Sequence, residues 1–337
     1  IDLTLIFEIN NIIKANKFLQ LDVSQLYYYI NENTEKISLS DILCSKELTM
    51  AAYEIEESSN GECIILGRYL QQIEDYISEN FKNYFNVNYT EEISVNSMDT
   101  YYGVEIADTY NFYYDQKKVL ASLDMWFQEH LDIEYNENKY LFLYFDVLLQ
   151  KKFYKTMERD LVKQIEEVSR SYINSLLITE DIEKLYPSQL VDLLFVIETM
   201  KLLNIDISKE EKAIVFEYLS IIDKEEFIYN TTLVSEVNLI SKLMDLNYQF
   251  TSEKESIESL YYKGGFKVLA NDDSTLNILS TAKMLRVDEY WDYIHNNELR
   301  EMLDGFVVDG LLRYNREENG ADLRTYYWFL VLMTNAR

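Results

Sequence analysis

The residues that most often bind metals are few in this chain. It contains two cysteines, Cys44 and Cys63, and two histidines, His130 and His295. A zinc site built from Cys and His needs four ligands, usually arranged as closely spaced pairs. These four residues lie far apart in the sequence and form no such pair. We therefore expect no metal and no cofactor, and two cysteines are too few for a disulfide framework.

Carboxylates are abundant and suggest a second kind of chemistry. Glycosidases use two carboxyl groups, one of which acts as a general acid. Asp99 and Asp192 occupy equivalent positions at the start of predicted helices, so they would face the same end of the molecule. Carboxylates also stabilise a helix N-terminus, and the chain has 59 acidic residues, so chance pairs are common. We therefore interpret both residues as helix caps.

Aromatic side chains are the third group, with 29 Tyr, 16 Phe and 3 Trp. Several occur as adjacent residues near predicted helix junctions. Such rings can line a pocket, stabilise a cation or hold an apolar chain. The alternative is core packing, because aromatic residues also fill the interior of large helical proteins. The candidate cavity-lining residues are Tyr101, Tyr102, Tyr326, Tyr327 and Trp328.

The overall composition excludes several classes of protein. With 31 basic and 59 acidic side chains, the formal charge is −28, whereas a nucleic-acid-binding protein needs a basic face. The 48% of apolar residues permits a large core, and 8 Gly with 1 Pro leave little for tight hairpins or phosphate-binding loops. No apolar run approaches the about 20 residues of a membrane span. We predict an all-α protein that binds no nucleic acid and has no membrane span.

The first residues bear on location. Positions 1–4 lack the basic segment with which a signal peptide begins. We expect a cytoplasmic protein. Because the chain begins without Met, an exported form from which a signal was removed stays open.

An internal repeat organises the predicted helices. Residues 274–286 align without gaps with 192–204, and the same pattern fits 235–247. The segment that begins at 324 resembles the one that begins at 99, and the last four anchors are 43, 39 and 50 residues apart. A regular period of this length indicates stacked helical hairpins. We predict a single domain over 1–337, with units starting near 49, 99, 142, 192, 235, 274 and 324.

Each unit is predicted to contain two helices. The first is apolar almost all round, as in 193–197, and the second is amphipathic. One second helix starts with Ser208 and Glu211, the spacing of a capping box. Because a buried inner helix cannot hide its apolar surface alone, hairpins must stack until the array closes or is capped. We predict an α/α toroid, a closed ring of about six to seven helical hairpins around a cavity; an open solenoid is the alternative.

Glycine motifs carry a resemblance to a known superfamily. Gly-Gly-Phe at 264–266, followed by Ser-Thr at 274–275 and a Leu-rich helix, resembles the repeat of squalene and terpene cyclases and protein prenyltransferase β subunits. The segments 309–311 and 319–327 are similar again. The resemblance covers roughly 185–337, and it implies the same α/α toroid.

The resemblance also implies a candidate catalytic acid. Cyclases of this superfamily protonate an isoprenoid with the middle Asp of a D-x-D-D-T motif, and superposing the repeats places Asp273 at that position, next to Asp272. Here the motif has Asn271 and Ser274 in place of its outer carboxylates, so the groups that would keep the acid neutral and strong are missing. The alternative is that both aspartates cap the helix that starts at Thr275. The zinc ligands of the prenyltransferases are not matched.

We therefore expect a terpene-cyclase-like or prenyltransferase-like toroid that is catalytically degenerate. It would bind an apolar or peptide ligand in its cavity, or a basic protein or peptide on its acidic rim. An isoprenoid cyclase that uses Asp273 as general acid is one alternative, and an open helical-repeat adaptor is another. The sequence leaves the ligand and the oligomeric state open.

Overall fold

A computed structural model confirms the all-α class. The residues it describes are mostly helical, with short antiparallel hairpins between some helices. No helix in these residues is both long and apolar enough to cross a membrane. The described residues are 4–19, 23–34, 46–60, 62–63, 65–66, 96–110, 114–132, 138–154, 156–178, 188–222, 230–248, 253–308, 311–313 and 323–335.

In the described part of the chain, three helices lie before residue 97. They are α1 (Thr4–Leu19), α2 (Ser24–Thr34) and α3 (Lys46–Ser58). Helix α1 packs against α3, and Asn10 Nδ2 donates to Glu54 Oε2 at 2.6 Å across this contact. The predicted unit near 49 is thus helix α3, whose main packing partner is α1.

The remaining helices alternate between two layers. Helices α4, α6, α8, α10, α12 and α14 contact one another in chain order, and α14 also contacts α4. We call these the even-numbered helices. The odd-numbered helices α5, α7, α11 and α13 each pack on an even-numbered neighbour, and α9 packs on α7. The bounds are α4 (Ser97–Tyr110), α5 (Gln116–Asp132), α6 (Lys139–Tyr154), α7 (Arg159–Ser175), α8 (Ser188–Leu202), α9 (Lys209–Ile222), α10 (Thr231–Leu243), α11 (Glu253–Leu260), α12 (Ile278–Leu285), α13 (Asn296–Asp304) and α14 (Leu323–Asn335).

Burial explains the different sequences of the two layers. Helix α7 buries Ile165, Ser169 and Ile173, a single stripe at four-residue spacing. Helix α8 is buried around most of its circumference, because α7 covers one side and α6 and α10 cover its flanks. Its run of apolar residues at 193–197 follows from this position.

Several helices begin or end at polar residues where glycine or a similar residue is often found. At the start of α9, Ser208 Oγ accepts from Glu211 N at 3.1 Å, and Glu211 Oε2 accepts from Ser208 N at 2.8 Å. The predicted capping box is therefore confirmed. Asn204 after α8 and Asp245 after α10 have φ of 55° and 52°, the left-handed conformation that ends many helices.

The two hairpins each precede an even-numbered helix. Strand β1 (Tyr261–Tyr262) pairs with β2 (Gly265–Phe266) before α12, and β3 (Val307–Val308) pairs with β4 (Leu311–Leu312) before α14. Lys263 and Gly264 form the first turn, both with positive φ, as a type I′ turn requires. The glycine motif at 264–266 therefore shapes a tight hairpin.

The predicted capping role of Asp272 and Asp273 is wrong. Helix α12 begins at Ile278, and its N-cap is Asn277, whose side chain accepts from Ser280 N at 2.8 Å. Leu276 forms an antiparallel bridge with Lys267, so a continuous helix cannot start at Thr275. A single 3-10 turn, Asp273–Thr275, precedes the bridge.

Candidate functional site

A cavity of about 410 Å³ lies among the even-numbered helices. All six of them contribute to its lining, together with Val268 from the segment before α12. Its volume lies in the range of small-molecule sites. The lining divides into an aromatic wall and a charged wall.

The aromatic wall forms where the last even-numbered helix meets the first. Tyr101 and Tyr102 of α4 face Tyr327 of α14 and Phe145 of α6. The ring centroids of Tyr102 lie 5.0 Å from those of Tyr327 and 5.3 Å from those of Phe145. Tilted and edge-on contacts at such distances are the favoured aromatic geometries. Tyr144 continues the wall, with its centroid 5.2 Å from that of Phe145.

The hydroxyl groups of this wall remain protonated. Burial raises the pKa of Tyr101, Tyr144 and Tyr327 above the ordinary value. Burial also raises the pKa of Tyr102 to about 12, against the opposing effects of a Trp328 hydrogen bond and the Arg324 charge. Each neutral phenol can both donate and accept a hydrogen bond. The wall therefore combines apolar faces with polar edges.

The charged wall is built on α12. Asn277, Ser280, Lys283 and Arg286 follow one another at three-residue spacing from the N-cap to the C-cap of this short helix, and all four line the cavity. Asn277 and Ser280 are used in capping and in a bond to Phe266 O. The two cations in the last turn reach neighbouring helices.

Each cation is paired with a buried carboxylate. Lys283 Nζ lies 3.2 Å from Glu236 Oε1 of α10 and donates to Thr232 Oγ1 at 3.2 Å. Arg286 Nη2 donates to Glu198 Oε1 of α8. Burial raises the pKa of both glutamates, and the paired cations oppose this rise.

We predicted that Asp192 caps a helix, and this prediction is wrong. Helix α8 begins at Ser188, so Asp192 lies one turn inside it, buried. Burial and the negative charge of Glu236 raise the pKa of Asp192 to about 7. By contrast, Asp99 lies in the first turn of α4, where its N–H donates to Asn96 Oδ1 at 2.8 Å.

The structure brings most of the candidate aromatic residues together and leaves the candidate acid outside. Tyr101, Tyr102, Tyr327 and Trp328 line the cavity. Tyr326 is buried but outside the lining, because successive helix residues differ by about 100° in direction. Asp272 and Asp273 also lie outside the lining and are exposed; the Asp273 side chain is 59% exposed, and its Oδ1 is 3.0 Å from Lys267 Nζ.

The potential metal ligands occupy separate places. His130 Nδ1 lies 2.6 Å from Asp146 Oδ2, and both side chains are buried between α5 and α6. Cys63 is buried, and burial raises the pKa of its thiol to about 12. His295 directly precedes α13, and Cys44 lies outside the described residues. Within the described part of the chain, no three His, Cys, Asp or Glu side chains are arranged to hold a metal ion.

Comparison of the chain with protein families, curated proteins and solved structures found no match. The interpretation of the cavity therefore rests on its geometry.

Sequence analysis missed the charged wall. Glu198, Glu236, Lys283 and Arg286 were not among the candidates, because their pairings join residues far apart in the chain. One local signal was present: Lys283 and Arg286, three residues apart, are the charged residues of the otherwise uncharged segment 274–286. Two charges one turn apart on a buried helix indicate a face directed at something other than the core.

Proposed function

We propose that this chain is a closed α/α toroid that binds a small, mostly apolar ligand in its central cavity without catalysing a reaction. The observation that carries the proposal is the aromatic wall. It joins Tyr101 and Tyr102 of α4 to Tyr327 of α14, on either side of the contact between the first and last even-numbered helices.

The cyclic order of helix contacts supports a ring more than an open solenoid. In an open array, the first and last inner helices would lie far apart. Here α14 packs on α4, and both contribute to the same cavity. The proposed membership of the cyclase and prenyltransferase superfamily agrees with this arrangement.

Binding is better supported than cyclisation. A protonating acid must reach the substrate within hydrogen-bond distance. Asp273 is largely exposed, is bonded to Lys267 and is not part of the cavity lining. The cavity instead offers rings that can pack against an apolar body, which suits a receptor or carrier.

Filling the cavity tests the proposal. Val191 is a partly buried lining residue on α8, and we expect Val191→Trp to place an indole in the cavity. Calorimetric titration with phenylhexanol, an uncharged aryl-alkyl probe, should give saturable binding to the wild type and at least about a tenfold loss in the variant. Circular dichroism would verify that the variant is folded.

Ile178→Trp is the matched control, because Ile178 is 76% exposed and outside the lining. It should bind phenylhexanol as the wild type does. Equal binding by Val191→Trp, or a wild type that binds neither phenylhexanol nor any other phenylhexyl probe, would reject the cavity as a ligand site.

A further inference from the structure

The cavity lining has a charge opposite to that of the whole protein. Four charged side chains contribute to it: Glu236, Lys283, Arg286 and Arg324. Three of the four are cationic, although the chain as a whole carries −28. Cationic side chains are therefore concentrated in the lining, although Lys283 and Arg286 each lie beside a carboxylate.

Arg286 has a central position in the cavity. Burial raises the pKa of Tyr102, Tyr144 and Tyr327, which belong to three different helices, and the charge of Arg286 opposes this rise at all three. A guanidinium has five N–H donors in a rigid plane. Among the described residues, the Arg286 side chain makes one hydrogen bond, to Glu198. Its side chain is 24% exposed, so donors remain for a ligand.

Lys283 lies one helical turn before Arg286 on the same face of α12. An ammonium group has three donors, and the described bonds to Thr232 and Glu236 use two of them. Its side chain is 42% exposed. The two residues can therefore donate to one acceptor group from adjacent turns.

The two carboxylates limit the charge that this wall can accept. Glu198 already neutralises Arg286 in part, and Glu236 does the same for Lys283. A phosphate or diphosphate group would bring two or more negative charges close to both glutamates, and buried like charges repel strongly. A single negative charge is the better match.

We propose, on the basis of the proposed function, that the ligand carries one carboxylate, which binds Arg286 and Lys283 while its apolar body packs on the aromatic wall. Carboxylate geometry fits the planar donors of a guanidinium, and charge-assisted bonds of this kind are shorter and stronger than neutral ones. The two walls thus select an amphiphile with an acidic head.

Wild-type selectivity tests this inference without any variant. Four probes share one apolar body and differ in the head group: phenylhexanoate, phenylhexanol, phenylhexylammonium and phenylhexyl phosphate. Calorimetric titration should show that phenylhexanoate binds at least about tenfold more tightly than the alcohol. Equal affinity for the alcohol, or tighter binding of the ammonium or the phosphate, would overturn the inference while leaving the cavity function intact. If none of the four binds, the proposed function fails and this inference falls with it.

A variant assigns the selectivity to the charged wall. Because Arg286→Gln alone would leave Glu198 buried without its partner, the double variant Glu198→Gln with Arg286→Gln is preferable. It should lose the tenfold preference for phenylhexanoate over phenylhexanol. Arg159→Gln, an exposed position outside the cavity lining, is the control and should retain the preference. A preference that persists in the double variant would refute the assignment to Arg286.

Discussion

The carbonyl oxygen of Glu298 lies 2.1 Å from the point that a Cβ atom on Gly264 would occupy. Gly264 also has a φ of +85°, a conformation that side chains rarely adopt. Position 264 therefore tolerates only glycine, both because of its φ and because the backbone of α13 is so close. The hairpin that precedes α12 packs against α13 at this glycine.

This contact predicts a large effect of one methyl group. Gly264→Ala should lower the free energy of unfolding by about 2–4 kcal/mol, because the strained turn and the backbone overlap both oppose it. Urea unfolding would measure the change. Gly305→Ala is the matched control: the nearest atom to its added Cβ, Met302 O, is 3.2 Å away, so we expect a change within about 1 kcal/mol. Equal losses would show that the close approach to Glu298 does not matter.

The capping box of α9 predicts two graded losses. Ser208→Ala removes one cap bond and should cost about 1 kcal/mol. Glu211→Ala should cost more, since it also removes the bonds from Arg170 Nη1 at 2.6 and 2.7 Å. Thermal unfolding would rank the two. Glu167→Ala, in an exposed pair with Lys163, should change little, and a loss as large as that of Glu211→Ala would contradict the ranking.

Acid sensitivity follows from the same glutamate. Burial raises the pKa of Glu211, but the bonds from Arg170 and Ser208 outweigh it and hold the pKa below the ordinary value. A lowered folded-state pKa contributes stability that is present at neutral pH and is lost as the pH falls through that pKa. The cost of Glu211→Ala should therefore shrink in acid, as unfolding at several pH values would show.

Asp192 predicts the opposite pH dependence. Its pKa of about 7 in the folded protein lies above the ordinary value of 3.8. Because this pKa is raised in the folded protein, the contribution of Asp192 to the free energy of unfolding is largest below about pH 4. It decreases as the pH rises to about 7, by up to about 4 kcal/mol in total. Asp192→Asn should remove much of this fall, measured by urea unfolding at pH 4.5 and 8. Asp160 is an exposed residue on α7, so the control Asp160→Asn should show the same decrease in stability between pH 4.5 and 8 as the wild type. The same decrease in Asp192→Asn would contradict the prediction.

Asp273 separates binding from cyclisation. Because this carboxylate is exposed and outside the lining, Asp273→Asn should leave phenylhexanol affinity unchanged. It should cost about 1 kcal/mol of stability through the lost partner of the buried Lys267. A wild-type protein that cyclises an isoprenoid, with turnover abolished in this folded variant, would support the cyclase alternative instead.

Features set by neighbouring residues were predictable from the sequence. The Ser208 and Glu211 pair, for example, lies within one helical turn. Helix α12, by contrast, starts later than predicted because the bridge between Lys267 and Leu276 comes from a hairpin that the local pattern did not show. Local propensity gives way where a tertiary constraint competes with it.

The charged wall could not be predicted for a related reason. Glu236 and Lys283 are 47 residues apart, and Glu198 and Arg286 are 88 residues apart. Which of 59 acidic residues meets which cation depends on how the helices rotate and pack, and the periodicity does not specify this. The same holds for Asp192, whose raised pKa comes from burial and from Glu236 on another helix.

The contact between Tyr102 and Tyr327 also has a consequence for biosynthesis. Tyr102 and Tyr327 are in contact although most of the chain lies between them in sequence, and the ribosome releases the N-terminal part first. Until residues 323–335 emerge, the rings on α4 lack their partner Tyr327 and are more exposed to solvent, to chaperones and to aggregation. Contacts of such long sequence separation form slowly, so the packing of α14 on α4 should be a late event in folding.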